Sequence, residues 1–226
     1  MGKADLHIHT RYSDGWMTPE ELVDYVLTET DLNVIAITDH DTIAGAIAAR
    51  NYLTRTSNCR NLDIIVGSEI TTREGHVIGL FLNDDIPSEK SALDTIIAIH
   101  KQEGLAIAAH PYSFLLRSLG MHGVGNKIIT LPFDAVETRN AAPTELITNY
   151  ITSIINSVNQ NCPTIAGSDA HHLITVGKTY TVFNGHSAGD LRESIKIREV
   201  FSHGRVVGPI LATRILIQQM SHVVRV

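Results

Sequence analysis

The sequence predicts an α/β fold in which a parallel sheet forms a barrel with helices outside it. Short apolar runs typical of buried strands alternate with helical patterns about seven times. The 226 residues suit one domain, because α/β barrels of this size often remain undivided, and no repeat or linker interrupts them. Polar side chains follow the apolar runs, as they do at the carboxyl ends of barrel strands. We therefore expect a single domain over residues 1–226.

The first predicted strand places two histidines on one face. It reads Asp5-Leu6-His7-Ile8-His9-Thr10, and side chains two residues apart in a strand point the same way. Asp14 follows in a loop that can turn its carboxylate back over the two rings. Two imidazoles on one strand resemble half of a transition-metal site. Such a pair is weak on its own, so the prediction depends on what the other strands supply.

The first helix has a well-defined start. Thr18 can cap it, Pro19 suits its first position, and Glu21 completes a capping box. The other predicted helices cover 44–50 and onward, 88–101, 147–158 and 188–201. The helix over 147–158 carries an apolar stripe made of Ile147, Ile151, Ile154, Ile155 and Val158.

The remaining strands are predicted from apolar runs. They cover 33–38, 62–67, 76–82, 105–109, 134–138, 164–167 and 180–183, and a turn at 73–75 joins the second and third of these into a hairpin. Residues 112–132 contain Gly120, Gly123 and Gly125 and predict a loop, and about 25 residues at the end of the sequence give no clear pattern.

Composition limits the possible partners and locations. The net charge of −6 argues against an extended nucleic-acid surface, which needs a basic stripe. No apolar stretch is long enough to cross a membrane, and the first residues lack the apolar core of a signal peptide, so we expect a cytoplasmic protein. Cys59 and Cys162 are far apart and outside any CxxC motif, which favours free thiols.

Histidines and carboxylates gather where the predicted strands end. In a barrel these positions share one mouth, and carboxylates crowded there repel one another unless cations compensate them. The sequence therefore predicts a cluster of divalent metal ions, and mixed imidazole and carboxylate ligands admit zinc, iron or manganese. The residues that follow strand cores are His40, Glu69, His110, Asp169 and His171, in addition to His7 and His9 in the first strand.

These motifs together resemble one known family. The chain is similar to the PHP (polymerase and histidinol phosphatase) phosphoesterases, whose motif order it follows from residue 5 to about residue 183. The resemblance implies a distorted seven-stranded (β/α) barrel. The motifs that carry it are 5–10, Thr38-Asp39-His40-Asp41, Gly67-Ser68-Glu69, His76, Ala109-His110-Pro111 and Gly167-Ser168-Asp169-Ala170-His171.

The resemblance also implies three divalent metal ions. His7 and His9 would hold the first together with Glu69 and Asp169, and these four residues are the predicted catalytic set. Glu69 would bridge to a second ion held by His76 and His110, and Asp14, His40 and His171 would hold the third. His172 is an alternative to His171. Asp39 and Asp41 are predicted to orient imidazoles.

The implied activity is hydrolysis of a small phosphomonoester or an (oligo)nucleotide phosphate by a hydroxide that bridges two metals. Arg139, Asn140 and Lys178 are candidate phosphate contacts near predicted strand ends. Longer nucleotidases of this family carry a helical insertion ahead of the Ala-His-Pro motif, and only about 25 residues separate Leu82 from His110 here, so their substrates do not transfer.

Two alternatives remain open at the sequence level. An amidohydrolase-type metal enzyme also begins with HxH on its first strand, but it would want a metal-bridging lysine at a middle strand end, where this chain has Glu69. A non-catalytic metal-binding domain of the same family would keep the ligands without turnover. The sequence does not indicate an oligomeric state.

Overall fold

A computed structural model describes residues 1–56, 61–113, 122–159, 162–213 and 215. Nine strands form one sheet in the order β7-β6-β5-β4-β3-β2-β1-β8-β9. Their bounds are β1 Gly2–Asp5, β2 Val34–Ile37, β3 Asp63–Thr71, β4 His76–Leu80, β5 Leu105–Ala108, β6 Ala135–Asn140, β7 Thr164–Gly167, β8 Thr179–Phe183 and β9 Val200–Gly204.

The sheet curls into a nearly closed barrel. The Thr179 hydroxyl at the start of β8 lies 2.6 Å from the Gly167 carbonyl at the end of β7. Arg139 of β6 donates to the Gly204 carbonyl of β9 at 3.2 Å, so the two ends of the strand order meet. Every strand contributes to a cluster of apolar side chains, as expected for the interior of a barrel. The predicted α/β barrel class is confirmed.

The strand count and strand directions differ from the simplest form of that prediction. The part of the chain that the structure describes forms nine strands instead of seven. Strands β1, β2 and β3 are parallel, as are β5, β6 and β7, but β4 is antiparallel to both its neighbours. Strand β8 runs antiparallel to both of its neighbours, β1 and β9. The first two residues of β9 fall within the helix predicted over 188–201. The hairpins reverse the chain without a helical crossover, which parallel pairing would require.

Five α-helices have defined bounds in the described residues. They are α1 Pro19–Glu29, α2 Ala44–Arg55, α3 Ala92–Lys101, α4 Leu146–Asn159 and α5 Ala188–Lys196. The predicted capping box of α1 is present, with Thr18 and Glu21 exchanging hydrogen bonds. Helix α3 begins four residues after the predicted Ser88, because the Ser91 side chain caps it by accepting from the Asp94 amide. None of the helices in the described part of the chain is both long and apolar enough to cross a bilayer.

Helix α4 presents the opposite face from the one an amphipathic helix normally buries. Its buried residues are polar, namely Thr148, Thr152 and Asn156. Of the predicted apolar stripe, Ile147, Ile154 and Val158 are exposed on the outer side, whereas Ile151 and Ile155 are half-buried and Ile155 packs against the core. Asn156 explains part of this choice, because its amide bonds both the amide and the carbonyl of Cys162 at the start of the next strand segment.

Some predicted features fall outside the described residues or on short elements. Cys59 and Gly120 lie outside them, as do residues 216–226 of the unassigned end. Cys162 is a free thiol, as expected. Within the predicted loop at 112–132, Gly125–Ile129 form a short 3₁₀ helix.

Candidate metal centre

Four predicted ligands converge from three strands at the mouth of the barrel. The Nε2 atoms of His7 and His9 lie 3.0 Å apart. Glu69 Oε2 lies 3.1 Å from the first of these nitrogens and 3.2 Å from the second. Asp169 Oδ1 lies 3.3 Å from His9 Nε2 and 3.6 Å from His7 Nε2. All four residues are buried or nearly so, and their ligand atoms face one point.

Glu69 also faces a second group of imidazoles. Its other oxygen, Oε1, lies 2.9 Å from His76 Nδ1 and 2.9 Å from His110 Nε2. Residues His76 and His110 come from the adjacent strands β4 and β5, and the Glu69 side chain is only 1% exposed. One buried carboxylate is therefore shared between two sets of imidazoles.

A third group lies at the outer side of the mouth. Asp14 Oδ2 is 3.1 Å from His171 Nε2 and 3.8 Å from His40 Nε2. His171 Nδ1 contacts the Asp169 carbonyl at 2.9 Å, which makes Nδ1 the donor and leaves Nε2 for Asp14. Asp14 is 55% exposed, so this group is the one nearest to solvent. The structure thus brings all nine predicted ligand residues to one place.

The backbone at two strand exits directs side chains over the mouth. His110 follows β5 with φ of 24°, and Asp169 lies just past β7 with φ of 52°, in the region that non-glycine residues seldom occupy. Strain of this kind persists where the surrounding structure fixes it, and it is common at functional sites. Gly167 lets β7 approach β1, since a Cβ atom there would lie 2.3 Å from the His7 Cβ.

The charges of the site fit divalent cations. Burial raises the pKa of Glu69 and Asp169, but nearby imidazoles, with His7 first among them, hold both well below the usual carboxyl range. Burial opposes the charge on His9 and His110, but hydrogen bonds and charges from the carboxylates outweigh it and raise each pKa to about 9. Without metal the cluster therefore binds protons, and metal ions supply the same positive charge.

Ring nitrogens without hydrogen-bond partners also fit a metal site. In the described structure, buried His9 Nδ1 and His110 Nδ1 make no hydrogen bond, and His76 Nδ1 lies 2.9 Å from Glu69 Oε1 without the geometry of a hydrogen bond. Four groups of residues in the described structure have a geometry that can hold an ion, because the ligand atoms within each group lie within 4.8 Å of one another. They are His7-Glu69-His110, His7-His9-Asp169, His9-Asp14-His171 and His9-His40-Glu69.

Two aspartates act on backbone instead of on imidazoles. Asp39 accepts from the amide and the hydroxyl of Thr10 and from the Ser13 hydroxyl, each at 2.7 Å. It therefore anchors the loop that carries Asp14. Asp41 accepts from the Thr71 amide at 2.7 Å. The prediction that these aspartates orient imidazoles is wrong, because the residues that face them supply backbone and hydroxyl donors.

Glu137 is a site residue that sequence reasoning missed. Its Oε1 atom lies 3.1 Å from His7 Nδ1, and its Oε2 atom accepts from the His110 amide at 2.8 Å. The Asn140 amide donates to Glu137 Oε2 and to Asp169 Oδ2, both at 3.1 Å. Such carboxylate partners fix the ring orientation of metal-binding histidines. The available signal was a carboxylate within the predicted strand at 134–138, next to the apolar residues Ala135 and Val136.

We expect Glu137→Gln to weaken metal affinity about 10- to 100-fold, the usual effect of losing a partner of a ligating histidine. Glutamine keeps the size of the side chain but removes the negative charge that favours His7 Nδ1 as a donor. Competition with a chromogenic chelator measures the affinity, and Glu199→Gln at an exposed position between α5 and β9 is the control. Unchanged affinity in Glu137→Gln would remove this residue from the site.

The three predicted phosphate contacts separate in space. Asn140 is fully buried beside Glu137 and Asp169. Arg139 points the other way, donates to the Gly204 carbonyl and lines a groove against α4. Lys178 is exposed, and its carbonyl accepts from the Arg205 amide. Strand alternation accounts for the contrast between Arg139 and Asn140, because neighbours in a strand face opposite sides.

An aromatic pair borders the outer side of the cluster. The Trp16 and His172 rings stack with centroids 5.6 Å apart and planes 20° from parallel. The Trp16 amide donates to the His171 carbonyl at 2.8 Å, which fixes this pair next to the third ligand group. His172, the alternative to His171, thus stacks on Trp16, and His171 is the one that faces Asp14.

Comparison with known proteins identifies the family. A family model for the PHP domain matches residues 5–199 of this chain. The chain belongs to the PHP domain family. The motif series that suggested this family therefore points to the right one, and membership places the chain among metal-dependent phosphoesterases and related hydrolases.

Individual PHP relatives vary in how much they share with this chain. A protein of Methanocaldococcus jannaschii, Uncharacterized protein MJ1587, is 39% identical over 172 residues, covering 71% of this chain and 94% of its own. The 5'-3' exoribonuclease Rnm of Salmonella typhimurium is 42% identical over 93 residues, which are 39% of this chain and 31% of that enzyme. This chain therefore matches less than a third of the exoribonuclease.

A solved structure shares the fold. It is a two-domain protein from Bacteroides vulgatus that contains a predicted PHP-like metal-dependent phosphoesterase, and it superposes with a TM-score of 0.68 at 21% identity. The match covers 90% of this chain and 64% of that one. At this identity the structural similarity establishes the fold and does not indicate the substrate.

Proposed function

We propose that this PHP protein hydrolyses a small phosphomonoester or the phosphate ester of a short (oligo)nucleotide at a site of three divalent metal ions. The observation that carries the proposal is the shared carboxylate of Glu69, which faces His7 and His9 with one oxygen and His76 and His110 with the other. A carboxylate between two sets of imidazoles is the arrangement expected of a residue that joins two metal ions in one site.

The three ligand sets divide the proposed metals as the family resemblance implies. The first set is His7, His9, Glu69 and Asp169, the second is Glu69, His76 and His110, and the third is Asp14, His40 and His171. When bound, divalent ions make water acidic enough to serve as a nucleophile at neutral pH and offset charge on phosphate oxygens. Zinc, manganese and iron all suit this mixture of imidazole and carboxylate.

Residues of the chain position the substrate and the ligands. The Asn140 amide links Glu137 to Asp169, so it holds a carboxylate of the first set in place and keeps one side of the mouth polar. We retain Asn140 as a candidate near the phosphate. Arg139 and Lys178 lose support as phosphate contacts, because Arg139 faces the α4 groove and the Lys178 carbonyl neighbours Arg205.

The surroundings favour a nucleotide among possible substrates. A pocket of about 220 Å³ lies beside Asp169 and His171 and is lined mainly by apolar groups. Its other walls include Ala142, Pro143 and Val207. The Trp16–His172 stack borders the same side, Trp16 is 37% exposed, and aromatic rings serve as stacking platforms for bases. The partial match to an exoribonuclease agrees with this choice.

The amidohydrolase alternative finds less support. That class needs a lysine bridging its metals, and Glu69 occupies the shared position here. Among the described residues, no lysine takes part in the hydrogen bonds or ion pairs of the candidate metal ligands. The non-catalytic alternative predicts metal binding without turnover, and an activity screen decides between the two.

The proposal is tested by a hydrolysis screen with the purified protein and added manganese or zinc. Substrates are nucleoside monophosphates, nucleoside bisphosphates, short oligonucleotides, sugar phosphates and glycerol phosphate. We expect release of phosphate or nucleotide, with nucleotides preferred. Trp16→Ala should lower kcat/KM for the nucleotide about tenfold, the scale of one stacked base, and leave glycerol phosphate unchanged. Tyr12→Ala, an exposed aromatic nearby, is the matched control.

Two outcomes would contradict parts of this proposal. No hydrolysis of any phosphate ester by protein that retains its metals would favour the non-catalytic alternative. Hydrolysis of glycerol phosphate with equal or better efficiency than nucleotides, unaffected by Trp16→Ala, would keep the phosphoesterase but remove the nucleotide preference.

A further inference from the structure

Helix α4 has an apolar outer face that the described structure leaves exposed. Leu146, Tyr150, Ile154 and Val158 recur every four residues and form one ridge along the helix. Exposed fractions are 67% for Leu146, 69% for Tyr150, 44% for Ile154 and 76% for Val158. Scattered apolar residues are common on protein surfaces, but a continuous ridge indicates an interaction site.

The inner side of α4 contacts the barrel through polar side chains, and these contacts determine which side of the helix faces outward. Thr148, Thr152 and Asn156 are buried against the barrel. Asn149 bonds both the amide and the carbonyl of Asn140, at 2.9 and 2.8 Å. These polar contacts fix the rotation of the helix about its axis, and they require the apolar ridge to face outward.

We propose that this ridge is the contact surface of a homodimer, in which α4 packs antiparallel against α4 of a second copy of the chain. The spacing of the ridge is symmetric about Thr152. With a twofold axis that crosses the outer face of α4 midway between Tyr150 and Ile154, Leu146 of one copy lies opposite Val158 of the other, and Tyr150 lies opposite Ile154. Isologous interfaces require this kind of self-complementary surface.

Charge favours a second copy at this surface. Each chain has a net charge of −6, so two copies repel except where the facing surfaces are neutral. Helix α4 contains no Asp, Glu, Lys or Arg, whereas α1, α2, α3 and α5 all contain charged residues. The neutral ridge is therefore a place where two copies can approach without opposing like charges.

The groove beside α4 adds a second complementary feature. It has a volume of about 380 Å³ and is lined by Leu146 and Tyr150 from α4 and by Arg139 and Arg205 from the barrel side. In the antiparallel arrangement, the carboxyl end of the second α4 comes near this groove. The negative end of a helix dipole is stabilised by cations, so the two arginines fit that end of the partner helix.

The test uses the full-length, metal-loaded protein in sedimentation velocity over a wide concentration range. We expect a dimer for the wild type. Tyr150→Glu combined with Ile154→Glu places like charges opposite each other across the axis and should weaken the dimer at least about thirtyfold, the scale of one interface hot spot. Leu93→Glu on α3, at a position 43% exposed, is the matched control and should remain dimeric.

A charge exchange tests the antiparallel pairing itself. Tyr150→Lys combined with Ile154→Glu puts opposite charges across the axis, because position 150 of each copy faces position 154 of the other. We expect this double variant to dimerise more strongly than the variant with two glutamates. Circular dichroism and retained hydrolysis of a phosphate ester show that every variant is folded.

Several results would overturn the proposal. A wild-type monomer at all concentrations would reject the homodimer. Binding of the ridge by residues 216–226 or by a vesicle of anionic lipid, with no dimer, would reject it as well. A dimer unaffected by the two glutamates would place the interface elsewhere. Loss of the dimer in both double variants would reject the antiparallel pairing.

Discussion

Replacing Glu69 with glutamine is expected to lower phosphoester hydrolysis about a thousandfold, the upper end of the range for loss of one group that stabilises transition-state charge. Its two oxygens face two sets of imidazoles, 2.9 to 3.2 Å away, from a position that is 1% exposed. Glutamine keeps one oxygen but turns an amide toward the other set. The amide cannot ligate a cation through its nitrogen, and it leaves positive charge without a counterion.

Metal content gives this prediction a readout that is independent of turnover. Emission spectrometry of protein purified without chelator should find more than one divalent ion per wild-type chain and fewer in Glu69→Gln. Glu193→Gln on α5 is the control, because Glu193 is 66% exposed and contacts only Lys196 among the recorded ion pairs of the described chain. Full activity and full metal content in Glu69→Gln, with an unchanged melting curve, would reject the shared-carboxylate site.

Periodicity in the sequence was enough to predict the centre of this site. His7 and His9 are two residues apart in an extended segment, so they had to share a face. Glu69 and Asp169 follow apolar strands, and parallel strands of a barrel present their carboxyl ends at one mouth. These arguments depend only on local spacing and on the direction of the strands, which alternation with helices already sets.

Other features depended on neighbours that local spacing does not reveal. Glu137 matters because β6 lies beside β5, which brings its carboxylate to the His110 amide. Arg139 and Asn140 were equal candidates until the direction of each side chain was known. The register of β6 against β7 also shifts between Glu137 and Arg139, so simple alternation from Glu137 does not identify the inward residue.

Helix α4 shows why an apolar stripe does not by itself predict burial. Its 14 residues have a clear apolar face, and a helix normally turns such a face toward the core. Here Asn149 and Asn156 bond backbone groups at both ends of the buried side, and an unpaired buried amide or carbonyl costs about 1–3 kcal/mol. These backbone contacts fix the rotation of the helix, which leaves Ile151 and Ile155 half-buried and Ile147, Ile154 and Val158 exposed.

Removing the metals is expected to make the stability of the protein fall as pH rises from about 6.5 to about 9. In the metal-free site the pKa of His9 is raised to about 9, because the hydrogen bonds that its ring donates to Asp169 and Glu69 outweigh burial, and the pKa of His110 is raised to about 9 as well. The ordinary pKa of a histidine side chain is 6.5. A group whose pKa is higher in the folded state stabilises the fold fully below its unfolded pKa and loses that contribution as pH passes the folded pKa.

The size of this effect follows from the shift. One histidine moving from 6.5 to about 9 contributes about 3 kcal/mol, and the shared carboxylates prevent the two contributions from adding fully. For a chain of this length the loss corresponds to roughly 10 °C in Tm. Calorimetry of chelator-treated protein across this pH range measures it, and the metal-loaded protein, in which cations replace the protons, is the control.

At acid pH, both the metal-free and the metal-loaded protein are expected to lose stability as pH falls. The pKa values of Glu69 and Asp169 are held well below their usual range, so their stabilising contribution is present above the unfolded carboxyl pKa and is lost as pH falls below it. Metal ligands must also lose their protons to bind, so acid releases the ions. The metal-free protein should therefore be most stable between about pH 5 and 6.5, and the metal-loaded protein at higher pH. Coincident pH profiles for the two forms would mean that these imidazoles and carboxylates do not hold the ions.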